Sequence, residues 1–89
     1  MNNTRREALD NAHSKLLEVV EELERIADEE REAFDNLPEG LQYSERGEAM
    51  EEAADTIEEA KDAIEDALGE LWDIIEPLYA SRQRKSRRG

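Results

Sequence analysis

The chain of 89 residues has no cysteine, a single histidine, two prolines, four glycines, one tryptophan, two tyrosines and one phenylalanine. Without cysteine there is no disulfide framework, no zinc knuckle and no thiol nucleophile, and a cytosolic setting is the default. No apolar run approaches the ~18–20 residues that a membrane span needs. The composition likewise disfavours a secretory signal peptide, and none is expected. Serine occurs only at Ser14, Ser44, Ser81 and Ser86, and His13 has no second histidine to work with. A nucleophile–base pair is hard to build from these residues, so neither catalysis nor a cofactor is expected. A chain this short also offers little room for a large single core.

What the sequence does have is charge. Asp and Glu number 25 against 12 Lys and Arg, a formal net charge of −13. From Glu18 to Glu76 there are 23 acidic residues and four basic ones, Arg25, Arg31, Arg46 and Lys61. The end reverses this, with Arg82, Arg84, Lys85, Arg87 and Arg88 and no acid. The pattern divides the chain into an acidic body, residues 1–81, and a basic tail, 82–89, expected to be disordered when free.

Hydrophobic spacing makes the body helical. With Leu9 at heptad position a, the a and d positions hold Leu9, Ala12, Leu16, Val19, Leu23, Ile26, Glu30, Ala33 and Leu37. The e positions add His13, Val20, Ala27 and Phe34. A second register from Met50 places Met50, Ala53, Ile57, Ala60, Ile64, Ala67, Leu71, Ile74 and Leu78 at a and d, with Ala54, Leu68 and Ile75 at e. Three apolar positions in seven mark a bundle helix, and neither stretch alternates with the period of a strand.

The break between the registers is Asn36-Leu37-Pro38-Glu39-Gly40, where Pro38 turns Leu37 away from helical geometry. Ser44 fits the N-cap of the second helix. Pro77 lacks an amide hydrogen and is expected to kink or end that helix. The expected fold is therefore all-α: helix 1 over about 4–35, a turn over 36–44 and helix 2 over about 45–76. Similar lengths and a short connection favour an antiparallel hairpin folded about Gly40, with Leu9 near Trp72 and Leu17 near Ile64. The small d residues Ala53, Ala60 and Ala67 are expected to let the helices approach closely.

One hairpin has little interior, so further burial is expected from a homo-oligomer, a four-helix bundle if it is a dimer. Leu17, Trp72 and Tyr79 widen the apolar surface at the open end, which places the expected interface on Leu9, His13, Leu16, Leu17, Leu68, Leu71, Trp72, Ile75 and Tyr79. Metal binding is disfavoured. The nearest fragment of a bundle di-metal motif is Asp10-x-x-His13, and Glu30, the one acid in a core stripe, lies ~25 Å away along the helix. Glu30 itself fits an exposed end of the stripe within reach of Arg31 or Arg46. Tyr43, Ser44 and Arg46 carry parts of an anion site at a helix start, although ordinary capping explains Ser44 more simply. The carboxylates Glu51, Asp55, Glu58, Asp62 and Glu65 form an acidic surface able to imitate a nucleic-acid backbone. Direct nucleic-acid binding by such a body is opposed by repulsion and is left to the tail.

The segment from Asp28 to Ala53, and above all Phe34 to Gly47, resembles one common to small acidic proteins of phages and integrated mobile elements. No activity or catalytic residue comes with that resemblance. It implies a setting, the cytoplasm of a bacterial host, and a common role, antagonism of host defence. The leading expectation is an inhibitor of a nucleic-acid-handling defence system, binding a basic host protein through its acidic surface. Two other readings stand beside it: an oligomeric sponge for a nucleotide signal, and a scaffold whose basic tail holds a partner.

Overall fold

The computed structural model describes the backbone of residues 1–88 and the side chains of residues 1–80. It is all-helical, in the order α1 (Asn3–Asp35), α2 (Glu39–Gln42) and α3 (Glu45–Arg88). Asn2 starts α1 by accepting a hydrogen bond from the Arg5 amide at 2.9 Å, which satisfies one of the free amides of the first turn. Leu37, preceding Pro38, leaves helical geometry, as the proline ring requires. The expected turn contains a helical turn of its own, because the Leu41 and Gln42 amides both donate to the Pro38 carbonyl.

Pro77 does not end the second helix. The backbone continues through it to Arg88, correcting the boundary placed at residue 76. Proline at this position removes the amide that would reach the Asp73 carbonyl, and Asp73 lies on the exposed side. The next carbonyl along, that of Ile74, accepts from Arg6 Nε at 3.1 Å. A contact from α1 thus supports the helix beside the proline. The expectation that Arg82, Arg84, Lys85, Arg87 and Arg88 form a binding tail concerns side chains outside the described residues.

α1 and α3 lie against each other in a layer 66 Å long, 23 Å wide and 14 Å thick. The length is what 44 helical residues span at ~1.5 Å each. Between the helices sit Val20 and Ala27 of α1 with Ala54, Leu68, Ile75 and Leu78 of α3, all buried. These are e positions, apart from Leu78 at a, and the remaining apolar a residues are half-buried. The expectation for the d positions fails. Val19 is 38% exposed and Ile26 and Ile74 40% each, while Ala12, Ala33, Ala60 and Ala67 are also exposed and only Ala53 is half-covered. A stripe three positions wide has two edges, and this pair of helices closes on the a/e edge. Close approach is provided by Ala27 and Ala54, each 1% exposed, rather than by the alanines at d.

Gly69 stands in α3 with open space around it. Gly69→Ala is expected to raise stability by about 1 kcal/mol, through the backbone entropy that glycine loses in a helix. A thermal melt followed by circular dichroism checks this; the midpoint should rise by roughly 4–8 °C.

Candidate binding surfaces

Two groups of polar side chains join α1 to α3, each legible in the sequence only as separate residues, and a third lies within α3. At the end near the N-terminus, His13 Nε2 donates to the Leu68 carbonyl at 3.1 Å; a carbonyl only accepts, so the ring proton lies on Nε2. The His13 ring tilts against Trp72 with centroids 5.8 Å apart, and Trp72 stacks on Tyr79 at 5.3 Å. The Tyr79 hydroxyl donates to Asp10. Asp10 and His13, the fragment weighed for a metal, are both engaged in these structural hydrogen bonds. No cluster of three or more His, Cys, Asp or Glu side chains suited to a metal occurs among the described residues.

Of the residues expected at an oligomer interface, Leu68 and Ile75 are buried inside the single chain. Leu9, His13, Leu16, Leu71 and Tyr79 are half-buried there. Only Leu17, at 47%, and Trp72, at 39%, remain exposed. The open end therefore offers a smaller free apolar patch than the sequence suggests, because one partner helix already covers most of it.

Toward the bend, Arg31 donates to Glu58 at 2.8 Å and to Asp55 at 3.0 Å. One guanidinium holds two carboxylates of the opposite helix with separate nitrogens, a geometry suited to its fork. With these groups a third to two-thirds exposed, each pair contributes on the order of 0.2–1 kcal/mol. Arg31, Phe34, Asp35, Glu51 and Asp55 line a shallow cleft of about 180 Å³. Nearer the middle of α3, the Lys61 ammonium lies 3.3 Å from Glu65 and 3.6 Å from Asp62, with its side chain only 17% exposed. The hydrogen bond to Glu65 holds the Lys61 pKa above its ordinary value despite partial desolvation, and the charges of Glu65, Glu24 and Asp62 add to the effect.

These cations alter the reading of the acidic surface. Asp55 and Glu58 share the single positive charge of Arg31, and Asp62 and Glu65 that of Lys61, so each group keeps one net negative charge, and Glu51 alone of the five has no ion pair among the described residues. Other carboxylates of α3 have no cation beside them. Glu45, Glu52, Glu59, Asp66 and Asp73 recur every seven residues, and all are exposed. Seven residues, close to two helical turns, separate successive members by ~10.5 Å, so they form one row on the outer side that winds by ~20° at each step. The sequence carries this row openly, as a strict heptad of acid. It is less conspicuous there than the carboxylates that flank the apolar stripe.

The bend carries side chains with structural duties. The Gln42 amide group donates toward the carbonyls of Phe34 and Leu37 at 3.3 Å and of Asp35 at 3.5 Å, closing the C-terminal end of α1. Ser44 Oγ accepts from the Gly47 amide at 3.3 Å, the N-cap expected of it, and donates to the Leu41 carbonyl. Its hydroxyl is thus used in both directions. Tyr43 is 78% exposed, and no hydrogen bond or ion pair among the described residues ties it to Ser44 or Arg46. Glu30 is half-buried and forms no ion pair among the described residues, since Arg31 reaches across to α3 instead.

No helix among the described residues is long and apolar enough to cross a membrane. Comparison with family models, with curated proteins and with solved structures gives no match to this chain.

Proposed function

We propose that this protein is a non-enzymatic binding protein, an antiparallel helical hairpin working as a homo-oligomer, that occupies the nucleic-acid groove of a basic host protein. The supporting observation is the outer row of α3, Glu45, Glu52, Glu59, Asp66 and Asp73, exposed and paired with no cation among the described residues. A long helix fixes those charges at regular intervals before any partner arrives, so little ordering remains to be done on binding. Association driven this way is fast and falls steeply with salt. The same charges repel nucleic acid itself, which makes the groove of a nucleic-acid-handling protein the complementary surface. The setting in a phage or mobile element, and with it inhibition of host defence, follows from the resemblance of Asp28 to Ala53 alone. The sponge reading is the less favoured, since the Ser44 hydroxyl is engaged in capping α3.

The test is competition. A labelled chain is titrated against the nucleic-acid-handling protein that co-purifies with it from a host lysate, with duplex DNA added as competitor. DNA should displace the chain. Neutralising the row with Glu52→Gln, Glu59→Gln and Asp66→Asn together should weaken binding on the order of tenfold or more at low salt. Glu58→Gln with Glu65→Gln should matter far less, because those carboxylates already have cations. Binding that ignores salt, DNA and the triple variant would overturn the proposal.

A further inference from the structure

We infer that a second copy of this chain docks along the d stripes of α1 and α3, on the broad face of the layer opposite Arg31 and its carboxylates. This rests on the oligomeric reading above and names the face that closes the assembly.

The placement follows from the contacts already described. Asp10 meets Tyr79 and Arg31 meets Glu58, and all four are b positions, so the b positions of both helices share one broad face. The e and a positions lie between the helices. The d positions flank a on the side away from b, so both d stripes open on the other broad face. There Val19 and Ile26 of α1 and Ile74 of α3 stand 38–40% exposed, with exposed alanines between them.

Three features select a second copy as the occupant. The first is continuity: d is the third column of a stripe whose other two columns are already covered, and bundle helices use the third column against a second neighbour. The second is charge. From Ala49 to Ala67 the exposed residues on this side of α3 are Ala49, Thr56, Ala60, Ala63 and Ala67, in a helix otherwise coated with carboxylate. The same side of α1 carries Lys15 with Glu22 and Glu29, so two bodies of net charge −13 keep their acids apart by setting the α3 band at the centre of the contact. The third is size. The d stripes run from Ala12 to Ala33 and from Ala53 to Ile74, each ~32 Å long at the helical rise. Across the 23 Å width this gives a footprint on the order of 700 Å² per copy, close to the ~800 Å² of a standard interface. The patch is the same on both copies, as a two-fold contact requires.

The cysteine-free sequence makes the test clean. Single variants Ala60→Cys and Leu17→Cys place one thiol on the d face and one on the b face, each at an exposed position. Sedimentation of the wild type gives the oligomeric state over a range of concentrations, and thiol labelling of the folded variants gives the coverage of each face. A dimer in which the thiol of Ala60→Cys reacts about tenfold more slowly than that of Leu17→Cys, with protection growing as concentration rises, is the expected result. A dimer in which Leu17→Cys is the protected site, or in which neither is, would overturn the d-face seam while leaving the oligomer intact. A folded monomer at every concentration would overturn both.

Discussion

Gly47→Ala is expected to lower the unfolding free energy by about 3 kcal/mol, the upper end of what overpacking costs. In an unencumbered helix the same change stabilises by about 1 kcal/mol, so the sign is reversed here. A Cβ at Gly47 would lie 2.3 Å from the Gln42 carbonyl oxygen, 2.6 Å from that of Leu41 and 2.7 Å from the Gln42 carbonyl carbon. All three atoms are backbone and cannot rotate aside. Relief requires α2 to move off the first turn of α3, which strains the Gln42 and Ser44 hydrogen bonds at once. Urea unfolding followed at 222 nm measures the difference, with Gly69→Ala as the control of opposite sign. A neutral or stabilising Gly47→Ala would mean that α2 does not press on α3.

Ile75→Ala should destabilise by about 2–5 kcal/mol, because the side chain is fully enclosed and its removal leaves a cavity. For a chain of this size that is a large fraction of the ~5–13 kcal/mol available. The neighbour Ile74 is 40% exposed, and Ile74→Ala should cost much less in the single chain. Its cost should also grow with protein concentration, as expected of a residue at a seam between copies. Fluorescence of Trp72, the lone tryptophan, packed between His13 and Tyr79, follows both transitions. Equal losses from the two variants at low concentration would show that the single chain does not favour the e column over d.

The contrast between Ile74 and Ile75 also marks the limit of what a local pattern encodes. Periodicity and the Pro38–Gly40 break locate α1 and α3 to within a residue or two at every end but the last, because spacing and turn chemistry are local properties. Which edge of a three-column stripe meets its own chain is not local. A rotation of about 50° exchanges the a/d edge for the a/e edge and leaves the pattern of residues unchanged. Pro77 escapes a sequence reading for a related reason: its penalty is written in its own ring, while Arg6, far off in the chain, supports the carbonyl beside it. Gln42 is no habitual capping residue, and its role exists only because α2 folds back toward the end of α1. Ser44 is readable as a cap because its partner is three residues away. In the acidic surface, Lys61–Glu65 is visible as an i,i+4 pair. Arg31 gives no hint in the sequence that it takes Asp55 and Glu58.

The ammonium of Lys61 and the guanidinium of Arg31 serve the same flank of α3, while the outer row of carboxylates has no counterweight among the described residues. The charge around α3 is therefore uneven about the helix axis, one flank carrying two cations and the outer row none among the described residues. A positively charged body coming within a Debye length, about 8 Å at physiological salt, exerts a torque as well as a pull. The rod rolls as it nears, and the bare flank arrives first. Fewer collisions are wasted on the wrong orientation, so the gain falls on the rate of capture more than on the lifetime of the complex.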